Sequence, residues 1–208
     1  FLEPSGTGIE PGQFRFSDWR PTGAMILAKT RVDTRGDEIV AELWLYNVGS
    51  ESQIGERLRF SRPLERTRVL AHDVADAIME QVTGQGSPFL TGFAVSANLS
   101  GNKEIYLMDF DGLGVRRLTR NGSINLQPAW SPDSSQLAFT SYRTGNPDLF
   151  VADFRENEFR RVSSREGINS GADWRPGNNE IALTLSPDGD SDIYLIDGTT
   201  GARIRQLT

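Results

Sequence analysis

The sequence predicts an α/β region of the α+β type over residues 1–89, followed by repeated four-stranded antiparallel units over residues 90–208. Three observations carry that fold class. First, a unit returns every 44 positions: Ile105-Tyr106-Leu107-Met108-Asp109, then Leu149-Phe150-Val151-Ala152-Asp153, then Ile193-Tyr194-Leu195-Ile196-Asp197. The same offset relates Pro128-Ala129-Trp130-Ser131-Pro132 to Ala172-Asp173-Trp174-Arg175-Pro176. It also relates Phe93-Ala94-Val95-Ser96 to Leu137-Ala138-Phe139-Thr140 and Ile181-Ala182-Leu183-Thr184. Second, Ile39, Ala41, Leu43 and Leu45 alternate with Val40, Trp44, Tyr46 and Val48, which is strand periodicity. Third, Leu70, Val74, Ile78 and Val82 recur every four residues, which is helix periodicity. A period of about 40–45 residues built from short apolar runs is the pattern of a β-propeller blade. One blade cannot bury its own apolar face, so neighbours have to stack.

Taken in chain order, Pro4, Gly6, Gly8, Pro11 and Gly12 mark an irregular start. Ser17 is placed to cap a short helical turn through Trp19. Residues 24–32 read as a strand, Thr34-Arg35-Gly36-Asp37 as a hairpin tip, and residues 38–48 as the return strand. A shorter strand is expected near Leu58-Arg59-Phe60. Residues 64–83 read as an amphipathic helix, with Pro63 near its first turn and Gly84 as its stop. Gln85-Gly86-Ser87-Pro88 reads as a linker. In the middle repeat, strands are expected near 126–130, 137–141, 148–154 and 159–163. Ser131-Pro132-Asp133-Ser134 supplies the first turn, with proline presetting φ and aspartate bonding the backbone beyond it. The first repeat begins at Phe93 with a second strand, so fewer than three blades are expected. Propellers typically need 4–8, and the expectation is a part of a longer protein.

Composition narrows the function classes. The chain has 208 residues, 37% of them hydrophobic, and a formal net charge of -6. An acidic balance argues against nucleic-acid binding, which uses a basic stripe. No apolar run approaches the roughly 18 residues needed to span a bilayer, so no direct membrane insertion is expected. No signal peptide is evident, and the abrupt opening at Phe1-Leu2-Glu3-Pro4 is equally consistent with a processed or trimmed N-terminus. Cysteine is absent, which removes disulfides and thiolate metal sites.

The individual candidates have ordinary explanations. Asp188, Asp190 and Asp192 resemble the opening of a calcium loop, but Ile193 stands where that pattern wants glycine and Thr199 where it wants glutamate. A solvated hairpin tip is the reading, and no metal is expected. Asp109, Asp153 and Asp197 end equivalent strands and suit Asx-turn capping. Trp130 and Trp174 read as blade-packing residues, and His72, the only histidine, as a structural residue on the helix. Gly6-Thr7-Gly8 is too short for a phosphate loop, and no cofactor is expected. Arg116-Arg117 and Arg160-Arg161 read as solvated outer edges that discourage edge pairing.

Trp130-Ser131-Pro132-Asp133 followed by Leu137-Ala138-Phe139 resembles the TolB-type propeller repeat, without the Gly-His and Trp-Asp signatures of the WD40 type. Phe16-Ser17-Asp18-Trp19-Arg20 leads into a hairpin, and the helix from Leu70-Ala71-His72-Asp73 runs through Thr83-Gly84 to Leu90-Thr91 directly before the first blade. This order resembles the TolB family, periplasmic propeller proteins of the Tol-Pal envelope system, across essentially the whole chain. The resemblance implies a six-bladed propeller behind an α/β domain. Relative to that pattern, the segment that engages TolA, the first strand and helix of the first domain and about half the propeller are expected to lie outside the chain. It further implies a non-enzymatic scaffold, serving outer-membrane integrity and cell division, that binds the lipoprotein Pal on the face opened by the loops entering each innermost strand. Matched residue by residue, those positions are Asn125, Leu126 and Gln127, and Asn169, Ser170 and Gly171. Some members carry a histidine just before the second loop where this chain has Ile168, so an imidazole pairing does not carry over. Two other readings stand beside it. Serine peptidases of the prolyl oligopeptidase and tricorn type carry similar blades, but their G-x-S-x-G elbow is not found here. Another protein-binding propeller is the third.

Overall fold

The computed structural model describes residues 8–208, so Pro4 and Gly6 of the expected irregular start, and Gly6-Thr7 of the Gly6-Thr7-Gly8 run, lie outside the described residues. The chain divides into two compact units between Thr91 and Gly92.

The first unit is built on strands β1 (Ile26–Arg35), β2 (Glu38–Asn47) and β3 (Ser52–Pro63), antiparallel in the order β1-β2-β3. Arg35 pairs with Glu38, so the turn contracts to Gly36-Asp37, with Gly36 at φ 62°. Two-residue hairpins match the strand twist only with positive φ, which glycine adopts without a Cβ clash. β3 is far longer than the short strand expected near Leu58-Arg59-Phe60. Most of its side chains are exposed, and its backbone pairing with β2 extends it. The alternation in β2 is used on both faces. Ile39 and Ala41 pack on Leu70, and Leu43 and Leu45 pack around Ala77. Trp44, Tyr46 and Val48 pack on Ile9, Phe14, Phe16 and Leu27, and the Tyr46 hydroxyl donates to the Ile9 carbonyl at 2.9 Å. Each fully buried large side chain contributes about 1.5–3 kcal/mol, which makes β2 the spine of this unit.

Helix α1 (Thr67–Thr83) follows a 3-10 turn at Leu64–Arg66, so Pro63 closes β3 and precedes that turn rather than sitting in the helix. Gly84 at φ 70° ends it, with its N–H on the Glu80 carbonyl at 2.8 Å. The buried stripe is Leu70, Asp73 and Ala77, whereas Val82 is 43% exposed. A strict four-residue ladder drifts about 40° per step on a 3.6-residue helix, so its last member has rotated off the sheet. Ser17 does not cap. The 3-10 turn is Phe16–Asp18, with Arg15 at the cap position and no side-chain cap bond. Phe16 is drawn into the core, which starts the turn one residue early. The presumed linker is tied down: Ser87 N donates to the Asp76 carboxylate at 3.1 Å.

The second unit consists of antiparallel blades. The first has β4 (Gly92–Ala97), β5 (Glu104–Asp109) and the two-residue β6 (Arg116–Arg117). The second has β7 (Asn125–Trp130), β8 (Gln136–Ser141), β9 (Asp148–Asp153) and β10 (Glu158–Ser163). The third has β11 (Asn169–Trp174), β12 (Glu180–Leu185), β13 (Asp192–Asp197) and β14 (Arg203–Gln206). Blades stack through their apolar faces. Ile105 and Leu107 meet Leu137, Phe139, Phe150 and Ala152, while Ala138, Leu149, Val151 and Val162 meet Trp174, Ile181, Leu183 and Ile196. β7 and β11 carry the same register irregularity, with Gln127 at φ 51° and Gly171 at φ 68°. Those two positions are one repeat apart, so the innermost strand bends at the same place in each blade.

Candidate functional site

The strands of the second unit define two ends. Loops leading into β7 and β11, and those joining β4 to β5 and β8 to β9, lie at the inlet end. The β7–β8, β9–β10 and β11–β12 turns lie at the outlet end.

Asn125 and Asn169 open β7 and β11, and both are fully buried. Their side chains therefore have nothing to offer a partner, and they act as locks. Asn125 Nδ2 donates to Glu104 Oε2 at 3.0 Å and to the Lys103 carbonyl at 3.1 Å, while its Oδ1 accepts from Ser141 Oγ at 2.7 Å. Asn169 Oδ1 accepts from Ser163 Oγ at 2.6 Å and Arg165 N at 3.0 Å, and its Nδ2 donates to the Arg165 carbonyl at 2.7 Å. Buried polar groups are costly unless filled in this way. Of the other expected contacts, Leu126 and Ser170 are half-buried, and Gln127 and Gly171 are exposed. The structure joins the last two: Gly171 N donates to Gln127 Oε1 at 3.1 Å, linking the second and third blades.

The outer arginines are not merely solvated edges. Arg117 Nη2 lies 2.7 Å from Glu104 Oε1, and Glu104 is completely buried. Burial raises the Glu104 pKa, but bonds from Thr119, Gly122 N and Arg117 outweigh it and hold the group below its ordinary 4.5. Arg161 stands 3.5 Å from buried Asp148, one repeat on. Arg160, half-buried, pairs with Glu158 at 3.2 Å. The missed signal was a carboxylate thirteen residues before an arginine, present in both blades.

The remaining candidates are structural. Asp153 Oδ1 accepts from Arg155 N and Glu156 N at 2.9 and 3.1 Å, and Asp197 Oδ1 from Thr199 N and Thr200 N at 3.0 and 2.7 Å. These backbone bonds lower both carboxyl pKa values. Trp174 is buried between blades, and its Nε1 donates to the Ala129 carbonyl at 3.1 Å. Trp130 packs on Phe154 with ring centroids 5.3 Å apart. His72 is half-buried, with its Nε2 3.5 Å from Arg68 Nη1. Among the described residues, no group of three His, Cys, Asp or Glu could hold a metal ion, Asp188, Asp190 and Asp192 included.

Apolar side chains at the inlet end were not anticipated. Leu99 is 72% exposed, Ile124 46%, Tyr142 37% and Ile168 39%. Ile124 and Ile168 are one repeat apart, each immediately before a buried asparagine. Tyr142 N donates to the Ile124 carbonyl at 2.9 Å, which seats those two residues side by side. The locks fix the backbone beneath them, so this apolar set is presented on a rigid base.

Stacked antiparallel blades, with buried locks beneath exposed inlet loops, define a β-propeller protein. The chain belongs to the TolB β-propeller family, whose domain model matches residues 79–208. It is 42% identical over 137 residues to the Tol-Pal system protein TolB of Geobacter sulfurreducens, covering 64% of this chain and 32% of that protein. It is 40% identical over 144 residues to that of Desulfosudis oleivorans, covering 69% and 33%. The crystal structure of TolB from Acinetobacter baumannii shares the fold at a TM-score of 0.83 and 23% identity, covering 94% of this chain and 50% of that one. The chain spans about a third of the length of the curated relatives it matches.

Proposed function

We propose that this chain serves as a non-enzymatic periplasmic scaffold of the Tol-Pal system and docks the lipoprotein Pal on its inlet face. The single observation that carries this reading is the exposed apolar set Leu99, Ile124, Tyr142 and Ile168 on the inlet loops. Apolar residues exposed together on loops of a rigid scaffold favour a protein partner, because little ordering entropy is lost on docking. The name of the curated relatives, Tol-Pal system protein TolB, supports a role in that system and is consistent with Pal as the partner. Among the described residues, no helix is long and apolar enough to cross a membrane. Engagement of TolA is proposed for the whole protein, with no residue of this chain assigned to it.

The test is binding of the intact protein to the soluble domain of a Pal-type lipoprotein. Micromolar binding is expected, with Ile124→Glu and Ile168→Glu each weakening it about tenfold or more. No interaction at micromolar concentrations, or full binding by both variants, would sink the reading.

A further inference from the structure

Three inlet loops converge on the Asn125 lock and share a composition that the lock does not require. Residues 98–103 join β4 to β5, residues 118–124 lead into β7, and residues 142–147 join β8 to β9. Hydrogen bonds tie all three to one point. Asn125 N and Nδ2 donate to the Lys103 carbonyl at 2.8 and 3.1 Å, and Asn121 Nδ2 donates to Asn125 Oδ1 at 3.0 Å. Ser141 Oγ, which donates to Asn125 Oδ1, also accepts from Arg143 N at 3.4 Å. Each loop presents one exposed apolar residue and one exposed cation: Leu99 with Lys103, Ile124 with Arg120, and Tyr142 with Arg143. None of the three loops contains a carboxylate, although the chain carries a net charge of -6. The carboxylates beneath are already paired, Glu104 with Arg117 and Asp148 with Arg161. Among the described residues, the side chains of Lys103, Arg120 and Arg143 make no hydrogen bond or ion pair. Nor do these cations belong to the repeat. Lys103 gives way to Pro147 and Ser191, Arg120 to Ser164, and Arg143 stands between Leu99 and Pro187 in its series.

The third blade differs at the same end. Its inlet loops carry Glu166, Asp188 and Asp190, and its Arg165 is occupied by Ser163 Oγ and the Gly201 carbonyl, each at 2.7 Å. The positive charge is therefore local to the first two blades. Arg143 is the best prepared of the three cations. Its guanidinium carbon stands 3.6 Å from the centroid of the buried Phe150 ring, close enough that the group lies flat on it. The turn below is closed by Gly145 N donating to the Tyr142 carbonyl at 2.9 Å. Partial burial, and then the nearby Arg161 charge, lower the Arg143 pKa, and an anion at its edge relieves both. A stacked guanidinium keeps its N–H edge free for bidentate pairing with a carboxylate. An apolar residue beside each cation suits a polypeptide with mixed acidic and apolar side chains, not a bare anion. We propose that these three loops receive an acidic segment of a partner protein, with an Asp or Glu carboxylate paired to Arg143 and apolar neighbours on Leu99, Ile124 and Tyr142. This rests on the inlet end being a docking face, the reading proposed above, and specifies the charge of what docks there.

The experiment measures binding of the intact protein to two short fluorescent peptides, one alternating glutamate with leucine and one alternating lysine with leucine. The glutamate peptide is expected to bind at about 100 μM or tighter, and about tenfold more weakly when salt rises from about 0.02 to about 0.3 M. The lysine peptide is expected to bind at least about tenfold more weakly than the glutamate peptide. Arg143→Glu is expected to weaken glutamate-peptide binding about tenfold, and Arg143→Lys, which keeps the charge but loses the planar fork, about threefold. Should Arg143→Glu uncover Phe150 and fail to fold, the exposed Lys103→Glu and Arg120→Glu, each expected to cost about threefold, decide the matter. The inference is overturned by equal binding of the two peptides, by no binding of either at about 1 mM, by tighter binding of a single-stranded oligonucleotide than of the glutamate peptide, or by folded variants that keep wild-type affinity. The soluble domain of a Pal-type lipoprotein is titrated in the same series. Pal-domain binding that is indifferent to Arg143→Glu overturns this inference alone, whereas glutamate-peptide binding without Pal-domain binding overturns the Pal reading alone.

Discussion

The junction between the first and second blades and the junction between the second and third solve one problem with different side chains. At the first, Glu104 reaches across directly: its four bonds come from Arg117, Gly122 N, Thr119 and Asn125. At the second, the equivalent residue is Asp148, one methylene shorter. Its bonds come from Thr144 at 2.6 Å, Asn146 at 3.3 Å and Arg161 at 3.5 Å, all within its own blade. Asn146 carries the connection onward, donating to the Gly167 carbonyl at 2.8 Å and the Arg165 carbonyl at 3.3 Å. What the repeat preserves is closure of the hydrogen bonds around a buried asparagine, not the residues that close them. Shortening one side chain obliges a second residue to act as relay.

Removing the direct lock has the largest expected effect. Glu104→Ala leaves Thr119 Oγ1 and Arg117 Nη2 without their acceptor and removes one of the acceptors of Asn125 Nδ2, which keeps the Lys103 carbonyl, and is expected to cost about 3 kcal/mol or more. Asn146→Ala removes only the relay and is expected to cost about 1–2 kcal/mol. Urea denaturation of the two variants in parallel tests the difference. Equal losses would break the comparison, since they would mean that the second junction depends on its relay as much as the first depends on its carboxylate.

These locks also mark where sequence reading stops. The 44-residue offset made the blade strands legible: the expected 137–141 is Gln136–Ser141, and the expected 159–163 is Glu158–Ser163. Apolar alternation and strand-ending aspartates are local signals, and local signals survive in one sequence. Asn125 and Asn169 were legible as loop positions but not as buried ones. Their burial depends on the Lys103 carbonyl and Glu104, and on Ser163 and Arg165, groups brought in from the preceding blade. The inlet apolar set was half legible, because Ile124 and Ile168 repeat. Tyr142 is seated beside Ile124 only through folding.

Acid sharpens the comparison at smaller cost. The folded-state pKa of Glu104 lies below its ordinary 4.5. Its contribution is therefore complete above the unfolded value of about 4.3 and is lost as pH falls through the folded value. Glu104→Gln, which keeps the shape but cannot ionise, is expected to flatten the fall in melting temperature below about pH 4.5. An unchanged acid limb would show that other carboxylates, Asp153 and Asp197 among them, dominate it.

The smallest effect is expected where distance alone would suggest a large one. Arg155 stands 3.0 Å from Asp133, close to the 2.7 Å between Arg117 and Glu104. Yet the Arg155 and Asp133 side chains are 69% and 54% exposed, against 28% and 0% for Arg117 and Glu104. Water screens the first pair, and holding two mobile side chains together costs entropy, so its net contribution is about 0–1 kcal/mol. Asp133 also keeps its bonds from Ser131 and Ser135 when the arginine is gone. Arg155→Ala is accordingly expected to shift stability by less than about 0.5 kcal/mol, whereas Arg117→Ala leaves a buried carboxylate short of a donor and is expected to cost about 2 kcal/mol. Denaturant midpoints for the two variants measure this directly. Similar losses from both would mean that burial does not set the worth of an ion pair in this propeller.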